Sequence, residues 1–213
     1  MDGTKECRCI AKTPTKVGVF AWYSFRMSKA DEMNQLKVDI KQWEPKTPEA
    51  DKEFFEEIVP QLQIVKGRYA REKYSHLPEA AIQDSLDYLA NRLHALKPGD
   101  VVPFARLGNH IVGFILVRWD EQEKRTQIEQ FYVDPERRRG GIGTRLLERA
   151  TQHARQTRPG ESVGIFLTTG EENEGAQRLY GRFDFRLSAT PAPTPGEVRL
   201  ELDFGTEQKS VDV

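Results

Sequence analysis

An α/β fold of the α+β kind is what this 213-residue sequence predicts: a mixed, largely antiparallel sheet flanked by helices, with a helical elaboration on its N-terminal side. Three observations carry that prediction. Between residues 82 and 96 leucine and isoleucine recur at three- and four-residue steps, the mark of an amphipathic helix. From Val101 onward the period changes to that of short strands separated by turn residues. Within this second part an apolar run, residues 128–133, leads into a glycine-rich turn and then into a helix-spaced segment.

In chain order, residues 1–18 read as a flexible arm. Residues 19–27, rich in aromatic and β-branched side chains, read as a first strand. Ser28 suits an N-cap with Asp31 and Glu32 in the first turn, so a short helix to Leu36 or Val38 is expected. A proline-containing linker over 43–48 follows. Residues 49–96 read as helical: Phe54, Phe55, Ile58, Val59 and Leu62 hold helical spacing, while Pro60 lacks the N–H a helix interior needs and is expected to kink or divide it. Pro78 opens a second helix whose stripe is Ile82, Leu86, Leu89, Leu93 and Leu96, and Pro98-Gly99-Asp100 stops it.

Residues 101–107 and 111–117, joined by Gly108-Asn109, read as a hairpin, and 126–133 as a third strand. A helix over 142–156 ends at Arg158-Pro159-Gly160. Residues 162–168 form another strand, and 173–182 a short helix with Ala176, Leu179, Tyr180 and Phe183 on its packing side. Two closing strands, 185–187 and 197–204, flank a proline-rich loop, and 205–213 reads as a disordered tail. The expected organisation is one domain over 19–204, divided into an N-terminal part, 19–100, and a core, 101–204.

A formal net charge of -1 creates no global field for nucleic acid or an anionic membrane. No run is apolar enough to span a bilayer, and the first residues lack the apolar stretch of an export signal, so a cytoplasmic protein is expected. Cys7 and Cys9 are too few to close a zinc site or staple a fold this large. His76, His94, His110 and His153 show no paired ligand spacing, so no metal site is expected.

The chemistry concentrates at Arg138-Arg139-Gly140-Gly141-Ile142-Gly143. Glycine lets backbone N–H groups approach a ligand closely, the helix N-terminus that follows favours negative charge, and the arginines add donors suited to phosphate. A dinucleotide fold needs a third glycine where Leu146 stands, and a P-loop needs Gly-Lys-Ser/Thr, which is missing here. A phosphate cradle of the form Arg-x-x-Gly-x-Gly remains, met by Arg138, Gly141 and Gly143.

That stretch, from Val133-Asp134-Pro135 through Thr144-Arg145-Leu146-Leu147, resembles the pyrophosphate-binding turn of the GNAT superfamily of acyl-CoA-dependent N-acetyltransferases. A second match follows at Asn173-Glu174-Gly175-Ala176-Gln177-Arg178-Leu179-Tyr180, although Asp184 stands where the family has a glycine. Asp tolerates a left-handed backbone better than most residues, so the turn is expected to survive the change. The two motifs fall within residues 101–204.

The resemblance implies acetyl-CoA as co-substrate, with the backbone N–H groups of Arg138, Arg139, Gly140, Gly141, Ile142, Gly143 and Thr144 on its pyrophosphate. It further implies that the strand before the turn splays from its neighbour. Phe131 and Val133, with Tyr132 between them, would then pair by backbone with the pantetheine arm, and Asn173 would hold that arm from the other side. Tyr180 is the candidate general acid, since a phenol can protonate a leaving thiolate. Glu129 is the candidate base. Simple alternation places it with Gln127, Phe131 and Val133 on one sheet face, and Ile128, Gln130 and Tyr132 on the other. Thr168 and Thr169 are weaker polar candidates.

The helices of 49–97 would supply the acceptor side, with Tyr69, Tyr74 and Tyr88 available to line a cleft and Arg68, Arg71 and Lys73 available to attract an acidic acceptor. The expected activity is direct transfer of an acetyl group to a primary amine in a ternary complex. The alternative is a catalytically inactive acyl-CoA sensor. The expected partners are acetyl-CoA and an amine acceptor, not nucleic acid or membrane. The acceptor's identity and the oligomeric state stay open, a homodimer included.

Overall fold

Residues 38–45, 48–157 and 162–205 are described by the computed structural model. The expected strand over 19–27, the helix begun at Ser28, the break at 158–160 and the tail after Gly205 lie outside them. The first described element was not expected: β1 (Asp39–Trp43) is a strand at one edge of the sheet. Val38 and Ile40 pack on the core while Asp39 and Lys41 face solvent, the one-sided alternation of an edge strand.

Three consecutive helical segments follow. α1 (Pro48–Glu53) passes through a π-helical turn, Phe54–Ile58, into α2 (Val59–Lys73). Pro60 sits in the first turn of α2 directly after the π-helical turn, where the Val59 N–H bonds the Phe54 carbonyl. The expected division is thus a local change of helical pitch, and the helix runs on through it. Phe54 stacks on Trp43 with ring centres 3.7 Å apart. α3 (Glu79–His94) starts after Pro78, and its Leu89 and Leu93 are fully buried against α2 and the sheet.

The rest of the sheet is β2 (Val102–Leu107), β3 (His110–Asp120), β4 (Arg125–Val133), β5 (Gly164–Gly170), β6 (Arg186–Leu187) and β7 (Glu197–Asp203), with α4 (Ile142–Thr157) and α5 (Glu174–Gly181) between them. Strand order is β1-β2-β3-β4-β5-β7-β6. Every pairing is antiparallel except β4 with β5. Two apolar layers cover the sheet. α2 and α3 bury Leu62, Val65, Leu89 and Leu93 on one face with Phe114 and Leu116. α4 and α5 bury Leu146, Leu147, Ala150 and Tyr180 on the other with Ile115 and Ile128.

Two irregularities in β4 position the site. The parallel pairing with β5 runs only from Arg125 to Ile128, after which the two strands part. On the other side, Leu116 of β3 pairs with Gln130 and Val117 with Ile128, leaving Glu129 as the extra residue of a β-bulge.

Candidate active site

Glu129 owes its orientation to that bulge. One inserted residue reverses the alternation beyond it, so Ile128, Phe131 and Val133 pack in the layer of α4 and α5, while Tyr132 packs in that of α2 and α3. The expected sharing of one face by Glu129, Phe131 and Val133 is therefore corrected: Glu129 turns to α3. There Arg92 grips the carboxylate with two N–H groups, Nε on Oε1 and Nη2 on Oε2, the latter at 2.7 Å. Arg118 Nη1 donates to Oε2 at 3.3 Å and the Tyr88 hydroxyl to Oε1 at 3.3 Å. Burial raises the Glu129 pKa, but the hydrogen bonds and charges of Arg92 and Arg118 outweigh it and hold the carboxyl below its ordinary value. A third cation lies on this face. Lys66 of α2 is 3% exposed, donates to the Ser85 carbonyl at 2.6 Å, and lies 5.6 and 5.7 Å from the ring centres of Tyr88 and Tyr132.

The glycine turn is built at the end of β4. Asp134, buried, accepts from the Glu136 N–H at 3.1 Å and so caps the 3-10 turn Pro135–Arg137. Arg138 is extended, Arg139 has φ 66°, and Gly141 has φ 76° before α4 begins at Ile142. The left-handed residues turn the chain so that the first N–H groups of α4 have no intrahelical acceptor. A Cβ built on Gly141 meets nothing within 4 Å, so the space before the turn is open. One built on Gly143 would stand 3.3 Å from Leu179, 3.6 Å from Phe131 and 3.8 Å from Val133. Gly143 is thus where α4, β4 and α5 meet, and it joins the two motifs physically.

On the other lip of the splay, Asn173 caps α5. Its Oδ1 accepts the Ala176 N–H at 3.4 Å, and its Nδ2 donates to Thr169 Oγ1 at 3.2 Å. Asp184 has φ 63° in the turn that closes this helix, as expected for a residue replacing glycine there. Tyr180 is 5% exposed, with its ring centre 6.2 Å from Phe131 and 5.7 Å from Phe185. Burial, with a smaller contribution from Tyr69, pushes its phenol above the ordinary value. Burial does the same to Tyr132, whose ring lies 4.9 Å from Tyr69.

The structure thus groups the end of β4, the turn and α5 with Tyr180, and it places Glu129 on the opposite sheet face. The two faces meet where β4 and β5 part. The cations expected to attract an acceptor are engaged: Arg68 with Asp134, Arg71 with Glu79 and Lys73 with Glu172. Arg92, Arg118 and Lys66 were not singled out from the sequence. For Arg92 a signal existed, since Tyr88 and Arg92 are four apart and share a helix face. Among the described residues no three His, Cys, Asp or Glu side chains group as metal ligands.

A family model described as "Acetyltransferase (GNAT) family" matches residues 61–185, more than half of the chain. Spermine/spermidine N(1)-acetyltransferase of Bacillus subtilis (strain 168) is 29% identical over 130 residues, covering 57% of this chain and 73% of that protein. PaiA N-acetyltransferase from Thermoplasma acidophilum, solved in complex with coenzyme A, has a TM-score of 0.58 at 16% identity over 78% of this chain and 99% of that one. The ribosomal-protein-S18-alanine N-acetyltransferase from Escherichia coli has a TM-score of 0.57 at 15% identity over 82% and 100%. At such identities these structures speak for the fold. Together with the matched turn and helix, the family model decides the assignment: the chain belongs to the GNAT acetyltransferase family, the acyl-CoA-dependent N-acetyltransferases.

Proposed function

We propose that this protein transfers the acetyl group of acetyl-CoA to a primary amine by direct attack within a ternary complex. The observation that carries the reading is the parting of β4 and β5 after Ile128, with the glycine turn on one lip and Asn173 and Tyr180 on the other. Acetyl-CoA supplies an activated thioester. In this reading the first N–H groups of α4, with Arg138 and Arg139, hold its pyrophosphate. The backbone of residues 131–133 receives the pantetheine arm as a strand would. Asn173 already uses its Oδ1 as a helix cap, so its contribution to that arm is an N–H or its backbone. Tyr180, kept protonated by burial, donates to the leaving sulfur.

Arg92 and Arg118 stabilise the charged form of Glu129 and occupy both its oxygens. In this reading it therefore acts as the anchor that orients Arg92, Arg118 and Tyr88 on the acceptor side rather than as a strong base. The named substrates of the Bacillus relative make spermidine one acceptor to test. Amino acids and peptides with free N-termini belong in the same panel. The expected result is thiol release from acetyl-CoA with at least one amine. Tyr180→Phe should lower kcat by about 10²-fold or more and leave the acetyl-CoA Kd unchanged. Equal turnover by the two proteins would remove Tyr180 from the chemistry.

A further inference from the structure

The last two turns of α2 are tied to both lips of the cleft. Arg68 pairs with Asp134 and Glu72 with Arg138 on the turn that ends β4, and Lys73 pairs with Glu172 at 3.2 Å just before α5. The middle tie is two-pronged. Arg138 Nη1 donates to Glu72 Oε1 at 3.2 Å, and Nη2 lies 2.7 Å from Oε2. The same guanidinium lies 5.6 Å from the Tyr69 ring centre, so it is held over α2 from both sides. Yet Arg138 is also the residue that enters the glycine turn, where a phosphate would be its partner. A carboxylate and a phosphate make equivalent demands on the guanidinium fork.

We infer that Glu72 is a positioning residue that competes with the cofactor's phosphates for Arg138, so that acetyl-CoA affinity is set in part from α2. The inference rests on the acetyl-CoA reading above. The side chains of Arg138 and Glu72 are 39% and 49% exposed, so their pair is screened and exchanges readily. Moving Arg138 to a phosphate releases one of the three ties on α2. Because α2 also carries Tyr69 and Lys66 on the acceptor side, the exchange links cofactor occupancy to that side of the cleft.

Calorimetric titration of acetyl-CoA into the wild-type protein and Glu72→Gln tests this. Glu72→Gln is expected to bind about two- to five-fold more tightly, the span an exposed ion pair covers, and to lose that gain in an Arg138→Gln background. Glu79→Gln, which removes an acid paired with Arg71 instead, is expected to leave affinity unchanged. Unchanged or weaker binding by Glu72→Gln overturns the inference, as does an equal gain from Glu79→Gln or a gain that persists without Arg138. Failure of the wild-type protein to bind acetyl-CoA counts against the proposed function instead.

Discussion

Lys66 is a residue whose protonation its surroundings control. Burial lowers its pKa from 10.5 to about 8, with the charge of Glu129 acting in the opposite direction. The unfolded chain therefore holds this proton up to 10.5 while the folded protein releases it from about 8. Since the unfolded state binds more protons between those values, Lys66 favours folding increasingly as pH rises through the window. Unfolding free energies of the wild-type protein and Lys66→Met, measured by urea from about pH 8 to about pH 10.5, should diverge in favour of the wild type; a constant difference would show ordinary titration. Asp184 makes a second residue-scale case. Its φ of 63° suits Asp but not a β-branched side chain, so Asp184→Val should cost about 1–2 kcal/mol in the same assay. This residue was legible from the motif, because a glycine position filled by Asp names its own backbone conformation.

At the scale of elements, Asn173 ends one motif and starts α5. Asn173→Ala should cost about 1 kcal/mol through loss of the cap, read as a lower urea midpoint with unchanged slope. The core elements were readable because their periods are strong: the stripe of α3 and the apolar run of β3 have one plausible geometry each. β1 was missed although Val38 and Ile40 alternate with Asp39 and Lys41, because so short and charged an edge strand resembles a linker. The bulge at Glu129 left no local trace, since neither glycine nor proline marks it and it exists only in the pairing of β3 with β4. That single insertion is why the candidate base was assigned to the wrong face. The arginine clamp on Glu129 was hidden for a related reason: its donors come from α3 and β3, far apart in the chain.

At the scale of the whole molecule, the sheet binds β4 to β5 over four residues and then opens, with the turn on one side and α5 on the other. A ligand gripping both lips should stabilise the entire fold. Acetyl-CoA at 100-fold excess over its Kd is expected to raise stability by about 2.7 kcal/mol and Tm by roughly 5–10 °C, and an unmoved melting curve would argue against binding at this cleft. Opening a sheet in its interior also exposes main-chain donors and acceptors where other sheets have none to offer. Recognition by main chain is indifferent to side-chain identity, so an amide-bearing arm can be held while the sequence around it drifts. The solved structures with 15% and 16% identity keep the same fold. Under the proposed function, donor binding would rest on the backbone of this opening and acceptor choice on the side chains of the helices.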